Sequence, residues 1–217
     1  MRLKLFLLSF LSLFIFTSFS YTVAKETYSK FDFDTTVKLQ DRIPRTFDEF
    51  FSYFSLLGSV EATATFCVLL AIIFLIRGKL LGFLGWLMII PATLGELFGK
   101  LVLFHPAPPV FLHRTLLPTG LPSFYVHTDF SYPSGHMTRT IFIITILIIW
   151  VFVSQRNILI KFISLAMLIG LTFAMGITRV YLGEHWSSDV IGGSFLGAGM
   201  GFFASGLIFK NKKTNIP

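Results

Sequence analysis

The sequence predicts an all-α fold, a polytopic membrane bundle of about six transmembrane helices, and both composition and hydropathy pattern support this. Hydrophobic residues make up 54% of the 217 residues and charged residues only 13%, whereas a soluble domain carries about a quarter charged residues. Because lipid offers the backbone no hydrogen-bond partner, long apolar runs are expected to be helices. Runs near the ~20 residues that cross a bilayer lie at about 5–23, 58–76, 80–104, 137–154, 158–178 and 189–209.

The basic residues predict how this bundle is oriented. If all six runs cross the membrane, none of the 11 acidic residues lies in the four segments on the side that receives both termini, so that side is expected to be cytoplasmic. Its basic residues are Arg2, Lys4, Arg77, Lys79, Arg156, Lys161, Lys210, Lys212 and Lys213. This distribution accounts for the net charge of +7 without a nucleic-acid partner.

The opposite face of the membrane receives the loops that carry candidate chemistry. It holds residues 24–57, 105–136 and 179–188. All five histidines fall on this exported side: His105, His113, His127, His136 and His185. The expected location is therefore the cytoplasmic (plasma) membrane, multi-pass, with the active site on the extracytoplasmic face.

The chain divides into four parts. Residues 1–24 form the first transmembrane helix or signal anchor, and a cleaved signal peptide ending at Ala24 is the alternative. Residues 25–57 form an exported segment whose aromatic residues, as in FDEFFSYFSLL, are spaced for an interfacial amphipathic helix. Residues 58–209 form the bundle that carries the candidate site, and residues 210–217 form a basic cytoplasmic tail.

A proline and three glycines predict features of two helices. Pro91 predicts a kink in the third run. Gly193, Gly197 and Gly201 recur at four-residue spacing in the last run, which allows another helix to approach closely. We expect this glycine stripe to pack within the bundle; a homodimer through the same three glycines is the alternative.

His185 and Asp189 are the first candidate pair, because residues four apart share one face of a helix. The carboxylate can hold one ring nitrogen of the histidine and leave the other as a nucleophile or base. Two other interpretations are open for these residues alone. Asp189, with Ser187 and Ser188, can cap the start of the last helix, and the pair can also ligate zinc.

The stretch PSGH at residues 133–136 predicts an anion site. Ser134 and Gly135 at a helix start offer a hydroxyl and free backbone N–H groups, and His136 is placed at the edge of the anion to donate a proton. Lys100 and Arg179 supply positive charge at the ends of two further helices. Glu96 precedes Lys100 by four residues, a favourable helical ion pair, which either holds the ammonium in place or neutralises charge inside the bundle.

Together these residues supply what phosphoryl transfer needs: positioning, charge stabilisation, a nucleophile and a proton for the leaving oxygen. No Cys/His or paired-carboxylate cluster demands a metal, so neither a metal nor a cofactor is expected. The residues thus predict a metal-independent phosphatase that opens at a membrane surface.

The same residues resemble the type 2 phosphatidic acid phosphatase superfamily, integral membrane relatives of bacterial acid phosphatases and vanadium haloperoxidases. Its motifs are K-x6-R-P, P-S-G-H and S-R-x5-H-x3-D. The second is intact at Pro133 to His136, and the third reads TRVYLGEHWSSD, with Thr178 in place of serine. The resemblance covers roughly residues 58–209 and implies an acid phosphatase/vanadium haloperoxidase-like core.

The first motif departs from the family pattern. Counted from Lys100, the pattern expects arginine at 107, where this chain has Ala107, followed by the expected Pro108. A missing bidentate cation weakens phosphate binding. Arg139, one helical turn after His136, is the preferred substitute; Arg114 is the alternative, and His105 is a weaker candidate.

The resemblance implies a role for each matched residue. His185 attacks phosphorus and forms a phosphohistidine, Asp189 orients its ring, and His136 protonates the leaving oxygen before water releases phosphate. Glu184 matches no family role and is expected to be a solvated loop carboxylate. The phosphate oxygens are expected to bind Lys100, Ser134, Gly135 and Arg179, with Arg139 added by this chain.

The expected substrate is a lipid phosphate or diphosphate in the bilayer, such as undecaprenyl diphosphate, phosphatidate or phosphatidylglycerophosphate. Ala107 motivates an alternative from another class, a catalytically weak relative that binds phosphorylated lipid or a membrane partner. A lipid phosphotransferase using the same phosphohistidine is a third hypothesis. A transporter is disfavoured, because the polar residues gather at one face and not at the midplane.

Overall fold

In the computed structural model, residues 1–116 and 129–209 are described, and this part of the chain forms nine α-helices. They are α1 (Arg2–Ala24), α2 (Ser29–Arg42), α3 (Asp48–Ser55), α4 (Val60–Ile76), α5 (Leu80–Leu87), α6 (Ile89–Val102), α7 (Gly135–Val153), α8 (Ile158–Tyr181) and α9 (Ser187–Ile208). His127 and the basic tail expected at 210–217 lie outside the described residues.

The prediction of six membrane-crossing helices is confirmed by length and apolar composition within the described residues. The third span is broken at Met88, which separates α5 from α6 three residues before Pro91. Proline lacks an N–H and its ring crowds the carbonyl four residues earlier. The helix is therefore expected to be distorted in the turn before Pro91, and the break at Met88 lies in that turn. The six spans are Arg2–Ala24, Arg45–Ile76, Leu80–Val102, Gly135–Val153, Ile158–Tyr181 and Ser187–Ile208.

Helix α9 is the centre of the bundle and packs most extensively against α7 and α1. The three glycines of its stripe face α7. A Cβ atom at Gly193 would collide with the carbonyl of Ser134, and one at Gly201 would lie 2.7 Å from Cβ of Thr145. Gly197 meets the carbonyl of Thr138 in the same way. The expected packing within the bundle is therefore confirmed, and a homodimer through these glycines has no support because α7 already covers them.

The ends of the helices separate into two groups. The Arg2 side chain donates from Nε to the carbonyl of Phe209 (3.3 Å), which joins the start of α1 to the end of α9. At the other end of α1, the hydroxyls of Ser20 and Tyr132 are hydrogen-bonded at 2.8 Å. The candidate residues lie at this second end. Helix α1 packs along α9 over its length.

Helices α2 and α3 cover the end of the bundle that carries the candidate residues, and their polar sides face the protein. Asp32 and Thr36 of α2 and Asp48 and Ser52 of α3 are buried. Aromatic side chains on the same two helices are exposed: Phe31, Phe33, Phe50 and Tyr53. Helices α2 and α3 therefore turn their hydrogen-bonding groups inward and their aromatic rings outward.

Candidate active site

The starts of α7 and α9 are joined by a backbone hydrogen bond. Ser134 precedes α7, and its N–H donates to the carbonyl of Asp189 (3.0 Å). Its hydroxyl accepts from the N–H of Met137 (3.5 Å) and so caps the helix. The close approach depends on Gly193, where any side chain would meet the Ser134 carbonyl. The two motifs predicted to form one site are therefore adjacent.

His185 and Asp189 make the contact that their spacing predicts. Nδ1 of His185 lies 3.2 Å from Oδ2 of Asp189, and the same oxygen accepts from the backbone N–H of Trp186 (2.9 Å). The carboxylate is fully buried. The orienting and capping interpretations are thus both satisfied by one side chain. The zinc interpretation lacks support, because the described residues contain no three His, Cys, Asp or Glu side chains arranged so that they could hold one metal ion.

The environment of His185 favours its neutral form. Burial, with Arg179 and Lys100 nearby, lowers the pKa of His185 well below its ordinary value. A carboxylate can only accept, so the Asp189 contact places the ring proton on Nδ1. The lone pair of Nε2 is then left for attack on an electrophile.

Glu96 lies beside Gly135 at the start of α7 and binds two cations. Its Oε1 lies 2.9 Å from Nζ of Lys100, the predicted helical pair, and its Oε2 lies 2.5 Å from Nη1 of Arg139. Its carboxylate also lies so close to Gly135 that a Cβ atom there would overlap it. An anion therefore already sits beside the start of α7, where the sequence predicted an anion site.

Arg179 is also paired. One guanidinium nitrogen donates to the Ser55 hydroxyl, and another forms an ion pair with Glu184. Glu184 accepts in turn from the Thr115 hydroxyl. The expectation that Glu184 is merely a solvated loop carboxylate is wrong, because the turn after α8 folds it back onto the arginine five residues earlier.

His136 is half-buried and packs against Gly58, at which a Cβ atom would lie 3.0 Å from the ring carbon Cδ2. Four groups lie close enough to act on its charge: Arg179, Arg139, His185 and Lys100. The two histidines that the sequence selected are therefore brought together with the three cations around them.

The two arginines considered as substitutes at position 107 lie in different places. Arg139 is in the site, where it shares Glu96 with Lys100 and also donates to the carbonyl of Gly58 (3.3 Å from Nη2). Arg114 is bound elsewhere: it donates to the carbonyl of Gln40 (3.1 Å) and the Tyr181 hydroxyl (3.1 Å). The structure thus favours Arg139 over Arg114.

The sequence alone did not single out the contribution of residues 25–58 to this site. Ser55 and Gly58 contact site residues directly, and Asp32 accepts from the N–H (2.8 Å) and hydroxyl (2.6 Å) of Ser188 at the start of α9. One signal was readable, since Asp32, Thr36 and Gln40 repeat every four residues and predict a polar stripe.

Comparisons with known proteins agree with this architecture. The sequence profile of the PAP2 superfamily matches residues 6–213, a longer stretch than the motifs alone covered. Comparison with curated protein sequences gives no significant match. The fold is similar to that of a transmembrane PAP2 type phosphatidylglycerolphosphate phosphatase from Bacillus subtilis, at 20% identity and a TM-score of 0.72, covering 91% of this chain and 94% of that one.

The fold is also similar to that of LpxE from Aquifex aeolicus, at 24% identity and a TM-score of 0.57, covering 80% of this chain and 94% of the other. At these sequence identities, the two structures show only that the fold is shared. The profile match over nearly the whole chain shows the family. This multi-pass membrane protein belongs to the PAP2 superfamily.

Proposed function

We propose that the protein is a metal-independent membrane phosphatase that hydrolyses a lipid phosphate or diphosphate through a phosphohistidine on His185. The observation that carries the proposal is the contact of 3.2 Å between His185 Nδ1 and the buried carboxylate of Asp189, with His136 and three cations close by. Family membership and the two phosphatase-like motifs support the reaction class.

The chemistry follows from the roles of the two histidines. Nε2 of His185 attacks phosphorus, the bond from phosphorus to the lipid oxygen breaks, and His136 gives its proton to that oxygen. The positive charge that develops on the His185 ring is stabilised by Asp189. Water then attacks phosphorus, the P–N bond breaks, and the proton lost by the water returns to His136. The ring of His185 is restored and inorganic phosphate leaves.

The phosphate oxygens are assigned to groups at the helix ends. Lys100 and Arg139, which share Glu96, supply positive charge together with Arg179, while the backbone N–H groups at the start of α7 favour an anion. Arg139 takes the place of the absent arginine at 107 in this proposal. Its support is the ion pair with Glu96, which puts its guanidinium beside the Lys100 ammonium.

The bilayer is the expected source of the substrate. Site residues come from the ends of membrane-crossing helices, so the scissile bond of a lipid phosphate lies at a matching depth. The charge distribution of the sequence supports placing this end on the extracytoplasmic face of the cytoplasmic membrane. Phosphatidylglycerophosphate, phosphatidate and undecaprenyl diphosphate form the substrate panel.

A weak or inactive relative that binds phosphorylated lipid is the second candidate. The observation that favours it is the pairing of the cations: Lys100 and Arg139 with Glu96, and Arg179 with Glu184. Together with Ala107, these carboxylates reduce the positive charge offered to phosphate.

The deciding experiment measures phosphate release by purified protein in EDTA across the substrate panel. We expect wild type to hydrolyse at least one lipid and His185→Ala to lose about 10³-fold or more of kcat. His113→Ala is the matched control, because His113 is exposed and its ring contacts the nearby carbonyl of Pro108 (3.1 Å).

Each result separates the alternatives. Activity that EDTA abolishes would remove metal independence, and full activity in His185→Ala would remove the phosphohistidine. If wild type binds panel lipids without releasing phosphate, the second candidate replaces the first. Transfer of phosphate to an acceptor other than water would identify a phosphotransferase.

A further inference from the structure

His105 lies on the opposite side of Asp189 from His185. It belongs to the segment after α6 and is only 6% exposed. Its carbonyl accepts from the N–H of Ser131 (3.0 Å), and the carbonyl of the next residue, Pro106, accepts from Nε1 of Trp186 (2.8 Å). The backbone that carries the ring is therefore held from both sides.

The ring of His105 points a nitrogen at the catalytic carboxylate. Its Nε2 lies 3.6 Å from Oδ1 of Asp189, within ion-pair distance. Oδ1 is the oxygen that His185 does not use, since Nδ1 of His185 and the N–H of Trp186 both contact Oδ2. Asp189 thus lies between two imidazoles, one at each oxygen.

Both facing atoms are buried and otherwise unpaired. Among the described residues, neither ring nitrogen of His105 nor Oδ1 of Asp189 has a hydrogen-bond partner. The Ser131 hydroxyl, 3.4 Å from the carbonyl of Pro106, also lies near enough to act on the Asp189 carboxylate. Buried polar atoms in native proteins are nearly always paired, and a shift of a few tenths of an ångström would pair these two.

The charged side chains closest to His105 are carboxylates. Asp32, packed from α2, and Asp189, packed from α9, both act electrostatically on it. A cavity of about 200 Å³ borders the ring and is also lined by Glu26. The ring of Tyr132, edge-on at 6.2 Å between centroids, is the aromatic neighbour. All the ionisable groups that these contacts place against His105 are acidic or uncharged.

We propose that His105 is a positioning residue that donates from Nε2 to Oδ1 of Asp189 and thereby fixes the rotation of the carboxylate that holds His185. Rotation of the Asp189 side chain would move Oδ2 away from Nδ1 of His185, so a donor at Oδ1 keeps the nucleophile aligned. This role differs from the phosphate contact considered for His105 on sequence grounds. It rests on the proposed function, in which His185 is the nucleophile.

The test compares His105→Phe with His105→Gln. Phenylalanine keeps a ring of similar size without a donor, whereas the amide nitrogen of glutamine can replace Nε2. On the lipid that wild type hydrolyses best, His105→Phe is expected to lower kcat about tenfold with KM changed less than twofold. His105→Gln is expected to recover most of that loss, and His113→Phe, an exposed site in the same loop, serves as control.

A second measurement does not depend on turnover. In protein with ¹⁵N-labelled histidine, the proton on Nδ1 of His185 should give a hydrogen-bonded resonance, assigned by its loss in His185→Ala. It should shift or broaden in His105→Phe and persist in His105→Gln. If wild type hydrolyses no lipid, the proposed function fails while this resonance still decides the role of His105.

Three results would overturn the inference: an unchanged resonance and kcat in His105→Phe, equal losses in the two variants, or a rise in KM alone. The last would place His105 on the phosphate. A selective loss of kcat with rescue by glutamine supports it.

Discussion

The two sides of the site are organised differently. On the side of the proposed nucleophile, the buried carboxylate of Asp189 has donors at Oδ2, which hold the ring of His185 in place. On the phosphate side, Glu96 binds Lys100 and Arg139, and Glu184 binds Arg179. One side is therefore preorganised, while on the other a phosphate must share or replace the carboxylate partners of the cations.

Replacing Asp189 tests the preorganised side and carries the largest expected effect. In Asp189→Asn an amide replaces the carboxylate, so the orientation of the His185 ring and the stabilisation of its positive charge are both lost. We expect kcat to fall about 10³-fold, by analogy with catalytic triads, and phosphate affinity to stay within a few-fold.

Steady-state kinetics and inhibition by inorganic phosphate measure these two quantities. Asp41→Asn is the control, because Asp41 is exposed on α2. A fall of less than tenfold in kcat for Asp189→Asn would show that ring orientation is not limiting.

The pH dependence of kcat/KM tests the protonation state of His185 on the same side of the site. Protonation of Nε2 removes the nucleophile, and the pKa of His185 is well below its ordinary value because of burial and the nearby Arg179 and Lys100. Activity should therefore fall with decreasing pH only below the ordinary histidine range of about 6.5. A profile from about pH 4 to about pH 8 measures this, with the ³¹P titration of the substrate in the same micelles as the control. An acid limb near or above the ordinary value would contradict a neutral, buried His185.

Glu184→Gln tests the phosphate side, where we expect a smaller effect. The side chain of Glu184 is 22% exposed, and partly exposed ion pairs contribute little. Removing its charge leaves Arg179 with more attraction for phosphate, so the inhibition constant of inorganic phosphate should fall about fourfold. Glu49→Gln, an exposed change on α3, is the matched control. A weaker affinity in Glu184→Gln would instead mean that Glu184 orients Arg179.

The sequence predicts contacts between residues close in the chain better than contacts between distant residues. The contacts of His185 with Asp189 and of Glu96 with Lys100 follow from four-residue helical spacing, and both occur. Pairs that join distant parts of the chain carry no such signal. Arg139 with Glu96, His105 with Asp189, and Ser55 with Arg179 depend on which helices become neighbours.

The order of residues along the chain determines the spans, their expected orientation and the two motifs, because hydropathy and helical periodicity are local properties. Only the folded bundle determines which partner each charged side chain contacts. The glycines of α9 allow α7 to pack closely, which places Ser134 next to Asp189. The turn after α8 places Glu184 against Arg179, and the packing of α2 places Asp32 against Ser188. These are long-range packing contacts, and a buried polar group takes whichever partner the packing brings within reach.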